Sequence, residues 1–374
     1  MKCSKLISLL AMATLLSGCA IEPPLYLRRP VTTKVVLTTS VNVNVMWQID
    51  WQARWDFAWN TTVLGPLGYT EPASMRLHIY TQDENGQPGA HTVHNFMGRS
   101  ATMDVFVGKH NLLFHNNDSE SLLFKADGDL EPLHSYTRNI SSGLKGSNPV
   151  YTSAQKAMGA TKADEPTEEP VALMPDGLFT LFDKDRVITD NPDDYEYEDG
   201  HYVLKITGEL YPATYIYLFE IKFLNNNGRV VGSSGGAAVT GMAQGVNLWT
   251  LESHSETVSV PMDVYMDRSR DLMGARVLTF GLPGCNPYDD ASVAAAKKIK
   301  HYLVLNISYS NGSWKNARFD VTDQMNALPL GGVIELDVDV DDIPPESGTP
   351  GSGGGFDALV SEWDEKTAST TIKN

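Results

Sequence analysis

The sequence predicts an all-β fold of two tandem β-sandwich domains, and three observations carry that prediction. Residues 41–60, VNVNVMWQIDWQARWDFAWN, place Val41, Val43, Val45, Trp47, Ile49, Trp51, Ala53, Trp55, Phe57 and Trp59 at odd positions, with almost all even positions polar. A helix would spread those residues around its circumference, whereas extended chain puts them on one face. Short apolar or alternating runs then recur from residue 73 to 116 and from 177 to 340, separated by turns rich in Gly and Asn. Between the two series, residues 135–170 become polar and punctuated, which sets the expected division near 165.

The chain opens MKCSKLISLLAMATLLSGC, with Lys2 and Lys5 ahead of an apolar run from Leu6 to Leu16. That run is shorter than the about 20 residues a spanning helix needs, but its basic start and small-residue end suit an export signal. Leu16, Ser17, Gly18 and Cys19 look like a bacterial lipobox, in which the cysteine is acylated and becomes the first mature residue. Residues 1–18 are therefore expected to be a lipoprotein signal peptide and 19–30 a tether, with Cys19 the lipidation site and membrane lipid its partner. Cys3 leaves with the signal peptide, so Cys285 has no partner for an internal disulfide and apolar packing must hold the fold. More than one acyl chain gives firm anchoring where a single chain is reversible.

The N-terminal domain is expected to span 31–165. Its tryptophan-rich face is expected to seal a sheet, since aromatic side chains supply large buried areas, with a sugar platform or partner surface as the alternative. ASMRLHIYT (73–81), SATMDVFVG (100–108) and NLLFHN (111–116) follow as strands, and DENGQPG (83–89) reads as a turn. The C-terminal domain, 166–342, is built from GLFTLFD, HYVLKITGEL, YIYLFEIKFL, GRVVGS, AAVTGMAQGVNLWT, SVPMDVYM, RVLTFGL, YLVLNISYS and VIELDVDV. NNNG (225–228) and NGS (311–313) mark turns, and ASVAAAKKIKHY adds one short helix. Residues 343–374 begin with a Pro, Gly and acidic run and read as a flexible tail in which Phe356, Leu359, Val360 and Trp363 are the docking candidates.

Composition narrows the function classes. With 29 Lys plus Arg against 46 Asp plus Glu, the net charge of -17 makes nucleic acid and anionic membrane surfaces poor partners. The sequence has no HExxH helix, no phosphate-cradling GxxxxGK[ST] and no G-x-S-x-G elbow, and no cofactor motif. The glycines of GSSGG (232–236) suit a turn or bulge. His91 and His94 are three apart in GAHTVHNF, with His110 and His115 following, and four imidazoles from neighbouring hairpins could meet at a metal; no spacing demands it, and solvent-facing or singly bonded imidazoles account for them. The acidic stretch 183–200, with Asp183, Asp185, Asp190, Asp193, Asp194, Glu196, Glu198 and Asp199, departs from a calcium-wrapping loop and reads as a solvated loop. No metal site and no catalytic residue is assigned.

The lipobox, the two β domains, and the stretches ITGELYPATYIYLFEIKF (206–223) and GMAQGVNL (241–248) together resemble a family of Bacteroides-type lipoproteins. That family is similar to the anchor and accessory subunits of the fimbrillin superfamily, and the resemblance covers roughly residues 16–345. It implies transthyretin-like sandwiches, an outer-membrane location with lipid anchoring and cell-surface exposure, and a non-enzymatic role as a fimbrial anchor or accessory adhesin. The implied partner is a pilin-like subunit gripped through a β-strand, with a glycan as the alternative ligand. Stalk subunits of the family are cut after arginine to release a first strand. Here Arg28 and Arg29 precede Pro30, and a cut there would sever the tether from Cys19, so an anchor requires them intact.

Overall fold

The structure, a computed structural model, describes residues 32–41, 60–83, 85–140, 150, 169–198, 200–296 and 299–345. The signal peptide, Cys19, Arg28, Arg29, the Trp47–Trp59 alternation and the docking candidates of the tail lie outside them. The described chain is predominantly β, with three short helices, α1 (Thr61–Leu64), α2 (Asp290–Ala295) and α3 (Thr322–Ala327).

The first sheet has eight strands. β1 (Thr32–Val41), β2 (Ser74–Gln82), β3 (Pro88–Met97), β4 (Ser100–Phe106), β5 (Gly108–Asn116), β8 (Phe179–Ile188) and β10 (His201–Pro212) lie in the order β3-β2-β5-β8-β10-β1-β4. β9 (Glu196–Glu198) pairs with β10. The alternation in β2 explains how the sheet packs: Met75, Leu77 and Ile79 enter a core with Val35, Leu37, Phe114, Phe179 and Ile206, while Arg76, His78 and Tyr80 take the other face. The same core draws residues from both ends of the strand order, so the sheet folds over on itself. β8 meets β10 through only Thr180↔Tyr211 and Phe179↔Pro212, which makes a corner. At the other end Gly98 and Arg99 alone carry the chain from β3 to β4, although those strands are the two outer strands of the sheet. The turn between β2 and β3 forms as its residues dictate, because Asp83 Oδ1 accepts from the N–H groups of Asn85 and Gln87 at 2.8 and 2.7 Å.

Beyond Pro212 the chain builds two four-stranded sheets. One contains β11 (Tyr215–Leu224), β15 (Val264–Asp267), β16 (Leu272–Thr279) and β19 (Gly332–Asp339) in the order β15-β16-β11-β19. The other contains β12 (Val230–Ala243), β14 (Thr257–Met262), β17 (Tyr302–Tyr309) and β18 (Trp314–Asp320) in the order β14-β12-β17-β18. Tyr217, Phe219 and Val277 from the first sheet share one core with Val239, Val260 and Leu305 from the second, a sandwich arrangement. The nearly continuous apolar run of β11 has a matching cause. Its odd residues face that core, and Ile216 and Leu218 are buried on the outer face beneath Leu67 and Tyr69.

Turn chemistry is again local. Asn225, Asn227 and Gly228 adopt positive φ between β11 and β12, and Gly312 does so between β17 and β18. The Ala- and Lys-rich stretch gives only α2, capped by Asp289 onto the Ala291 N–H, and by Tyr302 the chain has entered β17.

A three-stranded sheet, β13-β7-β6, joins the two parts: β6 (Leu122–Lys125) pairs with β7 (His134–Thr137), and β7 with β13 (Gly245–Asn247). The division expected near 165 therefore falls inside the first sheet's chain segment. β8 and β10, read from sequence as part of the second domain, complete the first sheet, and the chain crosses between the sheets at 212–215. The polar stretch after residue 134 is also pinned down where it is described. The Ile140 N–H donates to Val171 O, and the Ser259 N–H of β14 donates to Pro170 O.

Candidate functional site

Strand edges are the features through which an all-β protein can grip another chain, since each carries a row of unsatisfied N–H and C=O groups. Most outer strands here are short, charged or covered. β4 carries Asp104, β18 carries Lys315, Arg318 and Asp320, and β19 carries Glu335, Asp337 and Asp339. β14 is uncharged but lies under residues 170–172, bonded to it through Ser259 N–H to Pro170 O at 2.8 Å and Ala172 N–H to Ser259 O at 3.0 Å. β3 differs from all of these. Its sequence PGAHTVHNFM contains no Asp, Glu, Lys or Arg over ten residues, and among the described strands it pairs only with β2. Val93 and Met97 stand 45% and 76% exposed on it. Among the described residues β3 is the one long strand edge without a charged guard.

The histidines next to this edge are organised differently from the sequence expectation of solvent-facing or singly bonded rings. His91 of β3 and His115 of β5 are joined through His78 of β2: His78 Nδ1 lies 3.0 Å from His91 Nε2, and His78 Nε2 lies 3.1 Å from His115 Nε2. His115 Nδ1 donates to Asn116 O at 2.7 Å, which leaves its Nε2 as an acceptor. His78 must then donate from Nε2 and accept at Nδ1, and His91 donates from Nε2. All three rings are neutral in this chain of bonds. Because the contacts use opposite nitrogens of His78, the lone pairs do not converge on a point where a metal could sit. The described residues hold no group of three or more His, Cys, Asp or Glu side chains arranged for a metal ion. His94 alternates onto the opposite face of β3, and His110 bonds to Phe106 O at 2.7 Å. His78 carried no sequence signal beyond its place in an alternating strand, and only the register of β2 with β3 and β5 brings the three rings together.

Aromatic side chains seal the imidazoles. Tyr80 stacks on His91 and meets Trp249 edge-on, Trp249 stacks on Phe182, and Phe124 of β6 covers His115. A second pair, His134 Nδ1 and His254 Nε2 at 2.9 Å, lies at the same junction between β7 and the loop after β13. Desolvation, reinforced by the neighbouring imidazoles, lowers His78 to about 3, and desolvation lowers His115 to about 4.

This fixes a pH dependence. The unfolded chain holds both imidazoles near their ordinary value of about 6.5, so between about pH 6.5 and the folded values the unfolded state binds more protons than the folded state. The stabilisation is complete above pH 6.5 and is lost as pH falls toward about 3. For the fully buried His115 the loss is on the order of 3 kcal/mol. Denaturation at pH 7.5, 6, 5 and 4 should show a steeper decline in the wild type than in His115→Phe. Equal slopes would refute the role of the chain of imidazoles.

The remaining sequence candidates are structural. In the acidic stretch Lys205 Nζ lies 2.8 Å from Glu196 and 2.5 Å from Glu198, Arg186 pairs with Asp183 at 2.6 Å, and Lys109 pairs with Asp185 at 3.0 Å. Asp190, Asp193 and Asp194 are on the surface around a short turn, and Asp199 lies outside the described residues. The glycines at 232–236 accommodate register shifts of β12 against β17. Gly236 has φ +80°, and a Cβ there would lie 2.4 Å from Met262 O. Cys285 is a buried free thiol.

Among solved structures the chain is similar to a candidate adhesin from Bacteroides ovatus ATCC 8483, with 16% identity over 85% of this chain and 95% of that chain and a TM-score of 0.49. It is also similar to the fimbrial anchor protein Mfa2 from Porphyromonas gingivalis, with 9% identity over 82% of this chain and 91% of that one and a TM-score of 0.38. For the tip fimbrial protein Mfa3 of the same organism, in a C-terminally truncated form, the values are 8%, 76%, 81% and 0.31. No curated protein matches the sequence. A family model described as a domain of unknown function, DUF5119, matches residues 47–263, more than half of the chain, and the protein belongs to that family.

Proposed function

We propose that this protein is a non-catalytic, lipid-anchored component of the outer-membrane surface. It serves as a fimbrial anchor or accessory adhesin subunit and grips a pilin-like partner by strand addition at β3. The observation that carries this reading is the ten-residue, uncharged edge of β3, with exposed Val93 and Met97, beside which the other long edges among the described strands are charged or covered. An inserted strand gains a ladder of backbone hydrogen bonds, and the side chains beside the edge select what enters. In this reading the folded-over first sheet and the following sandwich are two transthyretin-like units that divide near residue 213, and acylated Cys19 holds them at the membrane. The alternative of glycan binding on an exposed tryptophan platform finds no exposed tryptophan among the described residues, where Trp249 and Trp314 are both half-buried.

Photo-crosslinking in intact cells tests the proposal. A crosslinker at Val93 or Met97 should capture an extracellular pilin-like subunit, whereas one at exposed Lys222 should not. The double change Val93→Lys with Met97→Lys should lower the yield several-fold, since charge on an edge opposes pairing. Cys19→Ser should release both the chain and the captured subunit from the membrane fraction. Equal capture from Val93 and Lys222, or none from either, would sink the strand-addition reading. An unmodified amino terminus on the mature chain would sink the lipid anchor.

A further inference from the structure

The loop that follows α1 crosses the outer face of β11 and β16, and beside the loop preceding β8 it leaves a cleft of about 310 Å³. Arg276 of β16 lines this cleft. It sits opposite Leu218 in the register and next to buried Leu278, on an otherwise apolar face. One terminal nitrogen, Nη2, donates to Gly68 O at 3.2 Å, but Nε is buried with no hydrogen-bond partner. Among the described residues Arg276 makes no ion pair. Burial lowers the guanidinium to about 10, and the phenol beside it, Tyr69, is held neutral by its own burial and commits its hydroxyl to Thr214 O at 2.7 Å.

A partly buried cation with no ion pair among the described residues is costly to maintain, and a guanidinium fork matches a carboxylate in geometry and charge. Three carboxylates also line the cleft, and each is held by donors other than Arg276. Asp118 accepts from the Ala73 N–H at 2.6 Å and the Asn116 amide at 2.9 Å, Asp176 accepts from the Glu120 and Ser121 N–H groups at 2.8 Å, and Glu71 pairs with Arg99. These oxygens keep lone pairs for hydroxyl donors, and their negative charge confines any ligand carboxylate to the Arg276 end of the cleft. Pro66, Pro72 and Pro175 add apolar lining to the cleft.

We infer that this cleft binds a uronic acid residue of an acidic glycan, with Arg276 holding its single carboxylate and Asp118, Asp176 and Ser119 bonding its ring hydroxyls. The volume is at the lower end of small-ligand sites, roughly 300 Å³, and suits one sugar unit. This site requires no strand addition, and either activity can fail without the other.

Titration of the full-length chain in detergent with methyl glucuronide, methyl glucoside and acetylglycine tests the inference. Calorimetry should give saturable binding of the glucuronide, with the neutral glucoside and acetylglycine each at least tenfold weaker. Arg276→Gln should weaken glucuronide binding at least tenfold, and Arg276→Lys should weaken it less. In case Arg276→Gln does not fold, the Nε–H resonance of Arg276 in the wild-type protein provides an independent reading, because it should shift saturably with the glucuronide. An unmoved resonance, equal affinities for glucuronide and glucoside, or acetylglycine binding as tightly as the glucuronide would each overturn the site.

Discussion

Replacing Phe219 by alanine is expected to lower stability by about 3–5 kcal/mol, the range for emptying a buried aromatic position. Phe219 is fully buried in the middle of β11, paired with Ala275 on one side and Ile334 on the other, and its ring sits in the core shared by both sheets of the sandwich. The strand is covered on both faces, because Ile216 and Leu218 are buried beneath the loop that carries Leu67 and Tyr69. The surrounding backbone therefore has little freedom to collapse into the space left behind. Val93→Ala on the exposed edge of β3 is the control, and it should stay within about 0.5 kcal/mol of the wild type. Denaturant titration followed by intrinsic fluorescence measures both, and similar midpoints for the two variants would contradict the assignment of β11 as the centre of the core.

Gly331→Ala should be nearly as damaging, and a comparison with Gly312→Ala isolates the reason. Both glycines have φ close to +80°, so each substitution carries the left-handed penalty of about 1–2 kcal/mol. Gly312 has nothing within 4 Å of where a Cβ would stand, so that penalty is its whole cost. At Gly331 the Cβ would lie 2.3 Å from Ile216 O and 3.1 Å from Ile216 C, which are backbone atoms of the strand beside it. Relief requires β19 to move away from β11, breaking the parallel ladder that begins at Tyr217↔Gly332. Gly331→Ala should thus lower stability by at least about 2 kcal/mol more than Gly312→Ala, read from the same titrations. Equal losses would show that the close approach to Ile216 relaxes freely.

How far the sequence alone could be read depends on the distance over which each feature is encoded. The strands of β2, β5, β11 and β17 follow from alternation or from short apolar runs, and each is carried by consecutive residues. Turns at 83–89, 225–228 and 311–313 follow from Asn, Asp and Gly chemistry within a few positions. The all-β class and the absence of a local catalytic motif were legible for that reason. Two sequence assignments gave way on contact: β8 and β10 joined the first sheet, and the separate histidines became a bonded chain. The edge of β3 was visible in part, since PGAHTVHNFM is written without charge, but that this strand is an outer one was not.

Local pattern determined which residues become strands, where the chain turns, and which side of each strand is apolar. The tertiary structure decided the partners: β1 beside β10 at Lys34↔Val203, β13 beside β7 at Val246↔Ser135, and His78 between His91 and His115. It also decided which edge and which arginine are left without a partner strand or an ion pair among the described residues. The physical reason is that a strand's hydrogen-bonding groups lie along its edges and are the same for every sequence, so side-chain alternation selects a face but not a neighbour. Neighbours are chosen by the packing of faces drawn from distant parts of the chain. The grouped imidazoles, the uncharged β3 edge and the partly buried Arg276 are products of that choice.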